Sequence, residues 1–210
     1  MTSSPAIPLL QASAVSFSRQ DEVVFGPLDF VLTRGQIALV EGDNGSGKTT
    51  LMRLLAGLLH LEHGELHWQG APMRHQAISG QIVFLGHQLG LKADLSAYEN
   101  LQVAAGLHGV REHERIGAVL LRVGLASYED EPVRRLSAGQ KKRVALARLL
   151  LIPGTLWLLD EPYANLDRAG IELVNQLLRD HAANDGAALV SSHGAVSFLG
   201  GEPQRIKLHD

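Results

Sequence analysis

A glycine-rich segment, Gly42–Thr49, constrains the fold of this chain more than any other feature. It reads Gly-Asp-Asn-Gly-Ser-Gly-Lys-Thr and matches the pattern G-x-x-x-x-G-K-[ST] at every fixed position. The apolar run Ile37–Val40 before it is typical of a strand buried on both faces, and Lys48–Leu59 after it has leucines at helical spacing. A strand, a glycine-rich loop and a helix in this order predict a phosphate-binding loop in an α/β fold.

The residue types of this loop suit the binding of phosphate. Glycines let the backbone turn with positive φ and bring its N–H groups close to phosphate oxygens, and the N-terminus of the following helix attracts the same anion. Lys48 is expected to neutralise the β- and γ-phosphates, and the Thr49 hydroxyl to ligate Mg²⁺. The alternative is an ordinary glycine-rich turn, and the loop alone indicates only a nucleoside triphosphate. The predicted nucleotide contacts here are Gly42, Asp43, Asn44, Gly45, Ser46, Gly47, Lys48, Thr49 and Thr50.

Two adjacent carboxylates, Asp160 and Glu161, follow a second apolar run that begins at Leu156. They would lie at the carboxyl end of a buried strand, where ligands bind in open parallel sheets. Asp160 is predicted to hold Mg²⁺, and Glu161 to orient and polarise an attacking water. The alternative is an acidic pair that caps the next helix.

Strand-like and helix-like segments alternate along the chain, which predicts a mostly parallel core sheet with helical crossovers. The segment Glu65–Trp68 before a Gln-Gly turn looks like one arm of a hairpin, and we expect an antiparallel β subdomain near the N-terminus. Residues from about 95 to 135 show helical patterns without a strand signal, and therefore predict an inserted α-helical subdomain. We expect one domain over residues 1–210.

Composition excludes several classes of protein. A hydrophobic content of 45% with 20% charged residues is ordinary for a globular chain, and a net charge of −3 gives no reason to expect nucleic-acid binding. Disulfides and thiolate metal sites are excluded because the chain has no cysteine. The start, Met1–Pro8, lacks the pattern of a signal peptide, and no run of about 18 apolar residues predicts a membrane span. Work at a membrane would therefore need a partner.

Three further segments complete an ordered set of motifs. Leu-Ser-Ala-Gly-Gln precedes a basic helix, Asn-Leu-Asp follows the acidic pair, and a histidine follows a last apolar run. The whole set resembles the nucleotide-binding domain of the ABC ATPases, a P-loop NTPase fold, over about Leu9 to Ser197. In chain order it comprises Gly42–Thr49, Leu136–Gln140, Asp160-Glu161, Asn165–Asp167 and His193.

This resemblance implies an ATPase that uses ATP and Mg²⁺ and works as a head-to-tail homodimer with two composite sites. Lys48, Glu161 and His193 would be its catalytic residues, with His193 at the γ-phosphate beside the attacking water. Asp167 would lie at the dimer seam. The segment that contacts the nucleotide of the partner copy would be Ser137, Ala138, Gly139 and Gln140.

Three positions depart from the common ABC pattern. Ala138 replaces a glycine, a change that the small methyl group should make tolerable. His87 stands where the family has a glutamine that senses the γ-phosphate and ligates Mg²⁺, so Thr49, Asp160 and His87 form the predicted metal set unless a register shift brings in Gln88. Arg19 replaces the aromatic that stacks on adenine, and a guanidinium can also stack on a base.

The histidine at position 87, in the run Leu85–Lys92, narrows the resemblance to the branch that serves cytochrome c maturation. That branch implies haem-handling integral-membrane subunits, a peripheral location on the cytoplasmic face of the inner membrane, and coupling of ATP hydrolysis to haem export or to release of a haem-loaded chaperone. No residue itself indicates haem binding. The alternatives are an exporter of another small substrate, a soluble ABC ATPase acting on nucleic acid or ribosomes, and a degenerate subunit that binds nucleotide without turnover.

Overall fold

The computed structural model describes residues 7–111, 114–192 and 203–208. None of the helices in these ranges combines the length and apolar character needed to cross a lipid bilayer. The elements in chain order are β1 (Leu10–Arg19), β2 (Glu22–Leu32), β3 (Ile37–Glu41), α1 (Lys48–Leu55), β4 (His63–Trp68), β5 (Ala71–Pro72), β6 (Ile82–Leu85), α2 (Ala97–Leu107), α3 (Arg115–Arg122), a short 3₁₀ helix (Val133–Arg135), α4 (Ala138–Leu151), β7 (Leu156–Asp160), α5 (Arg168–Ala183), β8 (Ala187–Ser191) and β9 (Gln204–Lys207).

An antiparallel sheet with the strand order β2-β1-β4-β5 contains the first two strands and the predicted hairpin. The turn between β1 and β2 consists of Gln20 and Asp21, both with positive φ, as a two-residue hairpin requires. One face of this sheet packs on α1 through large side chains such as Phe25 and Leu32. The antiparallel subdomain predicted from the sequence is therefore confirmed.

A parallel sheet with the strand order β6-β7-β8-β3-β9 forms the second layer. All its pairings are parallel, and the residues of β7 and β8 are buried throughout. Because parallel strands end at the same edge, the carboxyl ends of β3, β6, β7 and β8 lie side by side. The predicted parallel core sheet is confirmed, and this edge carries the candidate site.

Helices α2 and α3, which lie within the predicted helical block, pack against α4. They enclose a separate apolar core that includes Leu101, Leu120 and Val144. Ser96 begins α2 with a capping box, in which the Ser96 hydroxyl accepts from the Glu99 N–H and the Glu99 carboxylate accepts from the Ser96 N–H.

The first helix is shorter than its leucine spacing predicts. It ends at Leu55 rather than Leu59, because Gly57 adopts a left-handed φ of 76° and the N–H groups of Gly57 and Leu58 turn back to bond carbonyls of α1. Leu58 consequently lies on the surface with 62% of its area exposed.

Candidate nucleotide-binding site

The loop between β3 and α1 has a backbone that only glycine fits at its last position. Gly47 has a φ of 89°, and a Cβ there would lie 2.9 Å from a ring carbon of Phe25. Helix α1 begins directly after it, and Gly47 at the N-cap has no side chain that could cap the first N–H groups of the helix. This arrangement leaves a helix N-terminus available to an anion.

Lys48 is buried inside the curve of this loop. Its Nζ donates to the carbonyl oxygens of Gly42 and Asp43, at 2.7 Å each, and 6% of the residue is exposed. The nearby Ser46 hydroxyl is buried and has no partner among the described residues. An orphaned hydroxyl beside a buried ammonium fits a phosphate group that would satisfy both.

Asp160 joins the phosphate loop to the end of the parallel sheet. Its Oδ2 accepts from the Thr49 hydroxyl at 2.9 Å, and its Oδ1 accepts from the Ser191 hydroxyl at 2.7 Å. The carboxylate is almost wholly buried, with 1% of the residue exposed. Two of the predicted metal ligands, Thr49 and Asp160, are thus brought into contact.

This donor set suits Mg²⁺. The ion prefers hard oxygen ligands and keeps several waters, and is bound through one or two carboxylates together with substrate phosphates. No cluster of three or more His, Cys, Asp or Glu side chains that could hold a metal occurs in residues 7–111, 114–192 and 203–208. One carboxylate beside one hydroxyl therefore matches an ion that is shared with a nucleotide rather than caged by protein.

The backbone of Glu161 is fixed from two sides. Its φ of 51° lies in the left-handed region, which is uncommon for a residue other than glycine. Its N–H donates to the Ser191 hydroxyl at 3.0 Å, and its carbonyl oxygen accepts from Lys142 Nζ at 2.9 Å. Burial lowers the pKa of Lys142, and the carboxylates of Asp160 and Glu161 oppose that shift.

Sequence reasoning missed both Ser191 and Lys142. Ser191 did leave a signal, since it is a polar residue at the end of the apolar run that forms β8. Lys142 left none, because a lysine in the basic segment Lys141–Arg143 is expected to face solvent, whereas only 5% of it is exposed.

Ser137 caps α4, as its sequence position predicts. The Ser137 hydroxyl accepts from the Gln140 N–H at 3.2 Å, and the Gln140 side chain accepts from the Ser137 N–H at 2.8 Å. Ser137 and Ala138 are exposed. A Cβ on Gly139 would lie 3.1 Å from the Asn165 carbonyl, so the start of α4 lies against the loop that leads to α5.

Asp167 begins α5 as its N-cap. Its carboxylate accepts from the Gly170 N–H at 2.7 Å and from the Arg143 guanidinium at 3.1 Å. The Gly170 hydrogen bond holds the pKa of Asp167 below its usual value; desolvation opposes this shift, and the charge of Arg143 adds to it. Asp167 therefore has a structural task in addition to the predicted one at a dimer seam.

The model of the family described as ABC transporter matches residues 25–164. The chain belongs to the ABC transporter family. It is 58% identical over 192 residues to the cytochrome c biogenesis ATP-binding export protein CcmA of Xanthomonas oryzae pv. oryzae, which covers 91% of this chain and 90% of that protein. The protein of the same name from Methylococcus capsulatus is 48% identical over 194 residues, or 91% and 94% of the two chains.

Among solved structures, a putative ABC transporter ATP-binding protein from Pyrococcus furiosus superposes with a TM-score of 0.82 at 25% identity, over 95% of this chain and 97% of that one. These similarities confirm the predicted ABC ATPase fold and the resemblance to the cytochrome c branch. The chain is an ATP-binding protein and an ATPase of the ABC type.

Two residues predicted for the ABC site are not joined to this cluster among the described residues. His87 is exposed and follows β6. Because Leu85 of β6 pairs with Leu159 of β7, His87 lies at the same edge of the sheet as Asp160. Within the described ranges His87 makes no hydrogen bond to Asp160. Arg19 is exposed at the end of β1, beside the hairpin turn. His193 lies outside the described residues.

Phe17, which lies two residues before Arg19 in β1, has a structural role. Phe17 packs against the core and stacks on Phe25, with ring centroids 6.4 Å apart. The register of β1 shifts on both sides of Phe17, so strict alternation of faces along this strand does not hold. The prediction that Arg19 stacks on the adenine base stays a prediction.

Proposed function

We propose that this chain is the ATP-hydrolysing subunit of an ABC membrane complex in cytochrome c biogenesis, which couples hydrolysis to haem export or to release of a haem-loaded chaperone. The observation that carries the proposal is the 58% identity, over 91% of the chain, to a protein named for cytochrome c biogenesis and export. The contact of Thr49 with Asp160 supports the binding of a nucleotide together with Mg²⁺, because it provides two oxygens for the ion beside a triphosphate.

In the proposed site, Lys48 and the N–H groups at the start of α1 bind the β- and γ-phosphates. Thr49 and Asp160 hold Mg²⁺, which when bound neutralises charge on the phosphate oxygens. Glu161 orients the attacking water and accepts its proton, since its rigid peptide follows directly on the buried Asp160. His193 assists at the γ-phosphate.

The chain works as a head-to-tail homodimer in this proposal. Ser137 and Ala138 are exposed at the N-terminus of a long helix, which suits contact with a phosphate bound by a second copy. Because the same surface from both copies closes the two sites, the arrangement has two-fold symmetry.

A substitution at His87 tests the third metal ligand. His87→Gln is expected to keep ATPase activity and to shift the pH profile of kcat, because an imidazole coordinates metal only when neutral, whereas an amide does not titrate. The measurement is ATP turnover from about pH 5.5 to about pH 9 for both proteins, a range that includes the titration of an imidazole. Superimposable profiles would remove His87 from the site and assign the position to Gln88.

A groove beside the edge strand β6 is the proposed docking place for a membrane subunit. It has a volume of about 300 Å³ and is lined by α2, α4 and the loop after β6. Val103 and Leu107 line it although they are exposed, Leu107 by 81%. Exposed apolar side chains one helical turn apart are typical of a surface that receives an amphipathic helix.

The charges in this groove specify its occupant further. Lys92 and Arg148 line it, and none of the described residues that line it is acidic. Arg148 is partly buried, and desolvation lowers its pKa. Because Lys92 and Arg148 are positively charged, a docking helix that carries a carboxylate beside its apolar face would be favoured over a neutral helix.

Purification of the tagged chain from native membranes tests the proposed function. We expect recovery of haem-handling membrane subunits with the wild-type chain and with Leu121→Glu, a control at an exposed position on α3 outside the groove. Leu107→Glu should lose most of these partners, because it adds a charge to the proposed contact. Recovery of ribosomes or DNA would contradict the proposal, and equal recovery by both variants would remove the groove as the docking place.

A further inference from the structure

Lys142 is a buried lysine that lies beside the proposed base, Glu161. It lies in the second turn of α4, and 5% of it is exposed. A lysine is rarely buried unless its ammonium has a partner. The partner here is a backbone oxygen of the proposed base, since Nζ donates to the Glu161 carbonyl at 2.9 Å.

The peptide that Lys142 contacts needs support. Glu161 has a left-handed φ of 51°, a conformation that persists only where surrounding contacts hold it. The Ser191 hydroxyl holds its N–H from the side of β8, and Lys142 holds its carbonyl from the side of α4. The backbone conformation fixes the direction in which a side chain leaves the chain and limits its rotamers. These two contacts therefore also restrict the position of the Glu161 carboxylate.

We propose that Lys142 is a positioning residue for ATP hydrolysis, which holds the Glu161 peptide so that its carboxylate faces the attacking water. The inference rests on the proposed function. In this proposal Lys142 also connects the two half-sites that one chain carries. In the proposed dimer the first residues of α4 would face the nucleotide of the partner copy, and Lys142 would connect the same helix to the base that acts on the chain's own nucleotide.

The first test compares variants at this position in the full-length chain. Lys142→Met should lower kcat by at least about tenfold while the KM for ATP changes by less than about twofold, because the lysine touches the base and not the nucleotide. Its unfolding temperature should fall, because the Glu161 carbonyl loses its hydrogen-bond partner and the carboxylates of Asp160 and Glu161 lose a nearby positive charge, so kcat is measured well below the unfolding transition. Lys142→Gln should recover most of the turnover, because an amide can donate the same hydrogen bond without the charge.

Lys141→Met is the matched control, because it removes a neighbouring lysine of the same helix. Its kcat should stay within about twofold of the wild type. An unchanged kcat in Lys142→Met would overturn the inference, as would a rise in KM equal to the fall in kcat. If Lys142→Gln is as inactive as Lys142→Met while both remain folded, turnover depends on the charge of Lys142 and not on its hydrogen bond. That result would overturn the positioning role. Should Lys142→Met not fold, Lys142→Gln carries the test: a fall in its kcat of more than about tenfold at unchanged KM would overturn the positioning role.

A double-mutant cycle with Glu161→Gln gives a second readout. If Lys142 acts through Glu161, then Lys142→Met should cause little further loss of single-turnover hydrolysis in the Glu161→Gln background. Both the single Glu161→Gln variant and the double variant should form the same fraction of ATP-dependent dimer. Independent, multiplying losses would contradict the inference. Wild-type turnover in Glu161→Gln would instead contradict the proposed role of Glu161. A failure of the Lys142 inference can therefore be distinguished from a failure of the proposed function.

Discussion

Glu161→Gln is expected to lower ATP turnover by about 10²–10³-fold while ATP and Mg²⁺ are still bound, because removal of a general base costs roughly that much. Glutamine keeps the size of the side chain but accepts a proton poorly. The residues that hold phosphate and metal in the proposed site, Lys48, Thr49 and Asp160, are untouched, and the backbone contacts of Glu161 with Ser191 and Lys142 do not involve its carboxylate.

The measurement pairs steady-state hydrolysis with the molecular mass of the chain in Mg-ATP, determined by light scattering. A protein that binds but does not hydrolyse ATP should accumulate as a closed dimer, whereas the wild type should return to monomers after turnover. Glu172→Gln is the control, because it removes an exposed carboxylate on α5 that pairs with Arg179. Wild-type turnover in Glu161→Gln would remove Glu161 from the role of base.

The phosphate loop and the acidic pair could be read from the sequence because their geometry depends on short segments. Gly42–Thr49 contains its own turn chemistry and is followed at once by its helix, so a local pattern specifies both. Asp160 stands at the end of an apolar run, and every parallel strand of a sheet presents that end at the same edge. Thr49 and Asp160 are far apart in the chain, yet this rule brings them within 2.9 Å.

The contacts that fix Glu161 could not be predicted in the same way, because they depend on packing between distant segments. Lys142 reaches Glu161 only because α4 packs along the sheet, and nothing in Lys141–Arg143 distinguishes the buried lysine from the surface ones. A similar limit affected β1. Side chains normally alternate between the two faces of a strand, but bulges around Phe17 shift the register, and bulges have no reliable local signal.

Lys48→Met is expected to weaken ATP binding by about 10- to 100-fold, because it removes charge-assisted hydrogen bonds to phosphate worth about 1.5–3 kcal/mol. Lys48 Nζ donates to the carbonyls of Gly42 and Asp43, so the ammonium is held inside the loop that would bind the phosphates. Lys48→Arg should fail to restore binding, because 6% exposure inside a tight loop leaves no room for a planar guanidinium.

Titration calorimetry with ATP and Mg²⁺ measures this loss, and Lys207→Met is the matched control. Lys207 is exposed on β9, beside the strand that leads into the loop, and its removal changes the net charge equally. A general charge effect would weaken both variants, whereas a specific contact weakens only Lys48→Met. If Lys48→Met bound ATP normally, the loop N–H groups and the N-terminus of α1 would hold the phosphates alone, and the two carbonyl contacts of Lys48 would be purely structural.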